Sequence, residues 1–153
     1  METLTAFRQQ KDYNEWANGE FLRFLQGSPL AVATKVFAHL LVAEITWLRR
    51  IGENLDTSGF DFWSGETIED CNRLFDESRA AFADLFANLT ENDLDKTFSY
   101  KNSKGTSFQN TRREALTHVF FHSAYHRGQV AQAIRLAGNA PPYTDFIQFL
   151  RIS

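Results

Sequence analysis

Residues 68–89 read IEDCNRLFDESRAAFADLFANL. Within them Ile68, Cys71, Phe75, Ser78, Phe82, Leu85 and Leu89 recur at alternating three- and four-residue steps. At 3.6 residues per turn this spacing holds one stripe on one side of an α-helix. It is the seam expected where helices lie side by side at about +20°, so the segment predicts a bundle. To its N-terminal side, Lys11 to Gln26 carries Tyr13, Ala17, Phe21 and Phe24 at helical spacing, with Gly27 as a stop. Ser28-Pro29 reads as an N-cap followed by proline at the first helical position, opening a second helix. There Val36, Leu40, Ala43, Trp47 and Ile51 keep one stripe inward, and Gly52 stands just past the last of them.

On the C-terminal side the period changes. Thr97-Phe98-Ser99-Tyr100 and Thr106-Ser107-Phe108 alternate about the turn-like Asn102-Ser103-Lys104-Gly105, which predicts a short hairpin. Thr111-Arg112-Arg113-Glu114 has the form of a capping box, in which a Thr hydroxyl and a Glu carboxylate satisfy the free amides at a helix start. The fourth helix then runs towards Ala137, where Gly138-Asn139 and Pro141-Pro142 stop it. A short terminal helix is expected over Thr144–Arg151. The expected fold is therefore all-α: a four-helix bundle with a short β-hairpin before the last long helix and a short C-terminal helix.

A chain of 153 residues with 43% hydrophobic and 14% aromatic content can bury its own core, and its length predicts a single domain spanning 1–153. With 16 Lys+Arg against 19 Asp+Glu, the formal charge of −3 leaves no electrostatic footprint for a phosphate backbone, so nucleic acid is not an expected partner. The N-terminus lacks a signal-peptide core and no run reaches 18 apolar residues, so neither export nor a membrane is expected. Cys71 has no cysteine partner for a disulfide or a thiolate zinc site and reads as a small buried hydrophobe of a cytoplasmic protein.

Three of the four histidines fall on the fourth helix: His118, His122 and His126. A four-residue step places His122 and His126 on one face with Cβ atoms about 5–6 Å apart, so two imidazoles can converge on one ion. Ala115, Val119, His122, His126, Gln129 and Ala133 form one stripe, which assigns both histidines core-facing places. A buried imidazole without a partner costs about 1–3 kcal/mol, so a network or a metal must satisfy them. His39, beside the apolar stripe of the second helix, is the histidine left to complete a site between two helices. His118 competes for one place, and otherwise caps, packs or faces solvent. Glu44 is a further candidate that reads more simply as part of a solvated helix face. Gln129 can reach the face of His126, whereas Arg127 points elsewhere along the helix, towards solvent or a partner. Tyr13, Trp16 and Asn18 are candidates to line a pocket, with ordinary core or dimer packing the simpler role for the two aromatics.

These residues resemble the DinB family of four-helix-bundle metalloproteins, also called DinB/YfiT-like. His122-Ser123-Ala124-Tyr125-His126-Arg127-Gly128-Gln129 is similar to its H-x-x-x-H-R-G-Q segment. His39-Leu40-Leu41-Val42-Ala43-Glu44 with Trp47-Leu48 resembles its second-helix motif, and Tyr13-Asn14-Glu15-Trp16-Ala17-Asn18 its first-helix signature. The resemblance implies that His39, His122 and His126 ligate a divalent metal, zinc or nickel, that His118 does not, and that the chain is a homodimer. Relatives in the wider superfamily are metal-dependent thiol S-transferases and isomerases using bacillithiol, mycothiol or glutathione. The expected function is a metal-dependent enzyme, foremost a transferase, that activates a low-molecular-weight thiol or water against a small-molecule substrate. The alternative is a non-catalytic metal-binding or structural homodimer.

Overall fold

A computed structural model describes residues 2–52 and 61–153. Four long helices, α1 (Thr3–Gly27), α2 (Ala31–Ile51), α3 (Ile68–Asn88) and α4 (Arg112–Leu136), form the bundle, and α5 (Phe146–Ile152) closes the chain. Between α3 and α4 lie a 3-10 turn, Glu91–Asp95, and an antiparallel hairpin of β1 (Thr97–Lys101) and β2 (Ser107–Thr111), paired from Thr97 with Thr111 to Lys101 with Ser107. The turn needs Gly105 at φ +81°, a conformation open to glycine at no steric cost.

Helix ends follow local chemistry where the cap lies nearby in sequence. Thr111 accepts from the Glu114 amide at 3.1 Å while Glu114 accepts from the Thr111 amide at 2.9 Å, the expected capping box. Thr67 and Asp70 form another at the start of α3. Gly138, at φ +86°, terminates α4 as expected. Two boundaries differ from expectation. α1 starts at Thr3 and not at Lys11, because the Glu91 carboxylate accepts from the amides of Thr3 and Leu4 at 3.2 and 2.8 Å. Ser28 does not cap α2; its amide closes α1 on the Phe24 carbonyl, and α2 begins after an extended Leu30 that packs on the core.

α2 packs chiefly on α4 and α3, and α1 packs on the same two helices. As a result α2 is buried on nearly all sides and not along one stripe. It is long and apolar enough to cross a membrane, but most of that length is covered by the bundle. On α3 the buried face is Cys71, Leu74, Ser78, Phe82 and Phe86, so Leu74 and Phe86 take the inner places assigned to Phe75 and Leu85. On α4 the buried residues are Ala115, Leu116, Val119, Phe120, Ser123, His126, Arg127, Val130 and Ile134, while Gln129 is exposed and His122 half-buried. His126 therefore takes the core-facing place expected of it, while His122 sits at the edge of the buried stripe.

The apolar core has two parts. One gathers Phe21, Leu25, Phe37, Leu40, Leu41, Leu74, Val130 and Ile134. The other gathers Phe7, Leu48, Ile51, Phe82, Phe86, Leu94, Phe98, Leu116 and Phe120. On α1, α3 and α4 the residues that separate them in sequence include buried polar side chains, Asn14 and Asn18, Ser78, and Ser123 with Arg127, and on α2 the buried Glu44 stands beside Ile45 at the end of the first cluster's run.

Candidate metal centre

His39 from α2 and His122 and His126 from α4 place one ring nitrogen each within 4.8 Å of one another. The Nε2 atoms of His122 and His126 are 3.1 Å apart. Two metal–nitrogen bonds of about 2.0–2.1 Å at the tetrahedral angle separate their nitrogens by about 3.3 Å, so this pair is spaced for a shared ion. On two of the three rings the opposite nitrogen is held in the way common to ligating histidines. His39 Nδ1 donates to the Phe62 carbonyl at 2.9 Å and His126 Nδ1 donates to Gln129 Oε1 at 2.7 Å, which leaves Nε2 as the lone-pair nitrogen of each ring, the one on His126 facing His122 Nε2. The donor set thus fits a divalent ion of the imidazole-binding kind.

Burial favours, on His39 and His122, the neutral form a metal needs. Desolvation lowers the pKa of His39, opposed by its bond to Phe62. His122 is pushed down to about 4, first by burial and then by His126, His118 and His39. The indole of Trp63 stacks on His39 at 3.9 Å with 12° between planes, and Tyr125 meets His126 edge-on at 5.1 Å. His118 stands outside the group, its ring 5.4 Å from His122 and edge-on to Trp47 at 4.9 Å.

A sequence profile of the DinB family matches residues 12–153. The chain belongs to the DinB family. It is also similar to the protein DinB of Bacillus subtilis (strain 168), at 24% identity over an alignment covering 91% of this chain and 90% of that protein.

In this DinB-family chain three charged residues, Glu44, Arg50 and Arg127, lie where simple exposure rules do not put them, with Arg50 donating to the Lys101 carbonyl at 3.1 Å. Glu44 is 2% exposed and Arg127 4% exposed, so neither belongs to a solvated face. Glu44 Oε1 accepts from Asn14 Nδ2, Asn18 Nδ2 and Ser123 Oγ at 2.7, 2.9 and 2.6 Å, and Oε2 accepts from Ser78 Oγ at 2.6 Å. Arg127 Nη1 donates to the side-chain carbonyls of Asn14 and Asn18 at 2.6 and 2.9 Å, and its guanidinium lies over the Tyr13 ring. The two asparagines thus relay a buried cation to a buried anion, which removes the cost of leaving either charge unpaired. Asn18 belongs to this network. Tyr13 and Trp16 hold α5: Tyr13 Oη donates to the Thr144 carbonyl at 2.7 Å, and both rings meet Phe149. Cys71 is fully buried, its thiol pushed up to about 12 by desolvation, and is inert at neutral pH.

Ser123 and the Phe62 carbonyl carry no individual signal as functional groups in the sequence. For Ser78 a signal existed, a hydroxyl at a seam position among Cys71, Phe75 and Phe82, and for Asn14 and Asn18 a four-residue polar spacing inside an apolar helix.

Proposed function

We propose that this DinB-family protein binds a divalent metal, zinc or nickel, on His39, His122 and His126, and is a metal-dependent enzyme. The reaction proposed is transfer of a low-molecular-weight thiol to a small electrophilic substrate, with water as the alternative nucleophile. The observation that supports it is the approach of three imidazole nitrogens from two helices to within 4.8 Å, with two of the rings oriented through their opposite nitrogens. A divalent cation held by three neutral ligands supplies Lewis acidity, lowering the pKa of a thiol or water at its open position. The chain itself contributes orientation through Phe62 and Gln129, neutrality through burial, and access through the half-buried His122.

The test is elemental analysis of untagged protein purified without a metal column or chelator, beside His39→Ala and His122→Ala. About one metal per chain in the wild type, lost in both variants, is the expected result. The zinc-loaded protein is then assayed with bacillithiol, mycothiol or glutathione against electrophiles. No metal in the wild type after reconstitution with zinc and nickel overturns the assignment.

One observation favours a second reading, a structural site in a non-catalytic homodimer. The 3.1 Å contact between His122 and His126 satisfies both nitrogens as a hydrogen bond when one carries the proton. In that case His122→Ala lowers the melting temperature sharply, whereas an open catalytic site tolerates the change and loses turnover. The homodimer itself is part of both readings and is supported by the exposed Phe121 and Tyr125, 72% and 65% accessible on one face of α4.

A further inference from the structure

The buried polar layer touches the proposed metal site through the chain itself. Ser123, which donates to Glu44, directly follows His122, and Arg127, which donates to Asn14 and Asn18, directly follows His126. Glu44 stands five residues after His39 on α2. The bond from Ser123 to Glu44 thus joins the two helices that carry the three histidines, beside the histidines on α4. Apolar packing between helices tolerates small rotations and slides, because hydrophobic contact has no direction. Short hydrogen bonds to one carboxylate have direction and length, and a buried group left unpaired by a rotation costs more than a displaced methyl. Buried polar groups fix register in this way in coiled coils.

We propose that Glu44 and Ser123 are positioning residues for the three-histidine site: their bond sets the rotation of α4 against α2 that brings His122 and His126 to His39. This rests on the metal assignment above. The structure supplies its own control in Ser78, whose hydroxyl is buried and donates to the same carboxylate at the same 2.6 Å, but from α3, which carries no ligand. Ser123→Ala and Ser78→Ala each leave Glu44 with three of its four donors and alter the core by one oxygen.

The experiment compares wild type, Ser123→Ala, Ser78→Ala and His122→Ala for zinc affinity by competition with a chromophoric chelator. The same four proteins are loaded with Co2+ for their ligand-field spectra, and thermal melts of the metal-free forms are recorded. Ser123→Ala is expected to weaken zinc binding about tenfold, the low end of what loss of a ligand-orienting partner costs, and to alter the cobalt spectrum. Ser78→Ala is expected to stay within about twofold of wild type with an unchanged spectrum, although it melts at least as low as Ser123→Ala, because Ser78 is the one donor to Glu44 Oε2 among the described residues whereas Oε1 keeps both asparagine donors without Ser123. Equal zinc affinities and spectra in the two serine variants overturn the positioning role and leave the metal site standing. Wild-type protein that binds no zinc, or binding that survives His122→Ala, overturns the metal assignment and this proposal with it.

Discussion

His122 is the ligand candidate most open to solvent and the one whose proton affinity the fold alters most plainly. Its pKa falls from an ordinary 6.5 to about 4, chiefly through burial and then through the neighbouring imidazoles. Because the folded value lies below the unfolded one, the unfolded chain takes up this proton first as the pH drops. The contribution of His122 to stability is therefore flat above about 6.5, turns increasingly unfavourable between about 6.5 and 4, and levels off below. In chelator-treated protein the ring-proton resonances of His122 are expected to titrate near pH 4. The pH dependence of the melting temperature should flatten over the same window in His122→Ala. A His122 titration near 6.5 in folded protein would contradict the burial described. At this scale the histidines were legible because their spacing is local: four residues bring His122 to His126, and three more bring Gln129 back to the same face. Glu44 and Arg127 were not legible, because charged side chains are buried only when paired, and their partners Asn14, Asn18, Ser78 and Ser123 come from three different helices.

The elements are bounded by two kinds of cap. Thr111 and Glu114 cap α4 within four residues, and the hydroxyl and carboxylate that do so stand in the sequence as a recognisable pair. Thr111→Ala removes one of these bonds and is expected to cost about 1 kcal/mol, measured as a lower denaturation midpoint with faster amide exchange in the first turn of α4. An unchanged midpoint would mean that β2, which ends at Thr111, carries the helix start by itself. α1 has the other kind of cap. Its first amides are held by Glu91, 87 residues distant from Leu4, so nothing near Thr3 marks the start. At the opposite end Ser28-Pro29 has the composition of an N-cap, yet the Ser28 amide is used to finish α1 and proline keeps the connection extended. The same pair of residues suits either end of a helix, and the preceding helix decided between them.

Across the whole molecule, two apolar clusters are joined by a polar layer, and one outer face of α4 exposes two aromatic rings. Phe121 and Tyr125 stand four residues apart on that face, both largely exposed. If the proposed homodimer uses them, Phe121→Glu is expected to shift the protein from dimer to monomer in sedimentation equilibrium, with zinc content per chain unchanged. A wild-type chain that sediments as a monomer would remove the homodimer from the proposal. Periodicity, turn residues and capping pairs determined by themselves that this chain is an all-α bundle with a hairpin before α4, because helix and turn preferences are properties of neighbouring residues. Most of the inward stripes and the grouping of His39 with His122 and His126 were also legible, whereas the burial of α2 on nearly all sides and the buried network of Glu44 and Arg127 were decided only in the tertiary structure. Those outcomes depend on how α1 and α2 share α3 and α4 as neighbours, and on a carboxylate that finds its donors only when all four helices are in place.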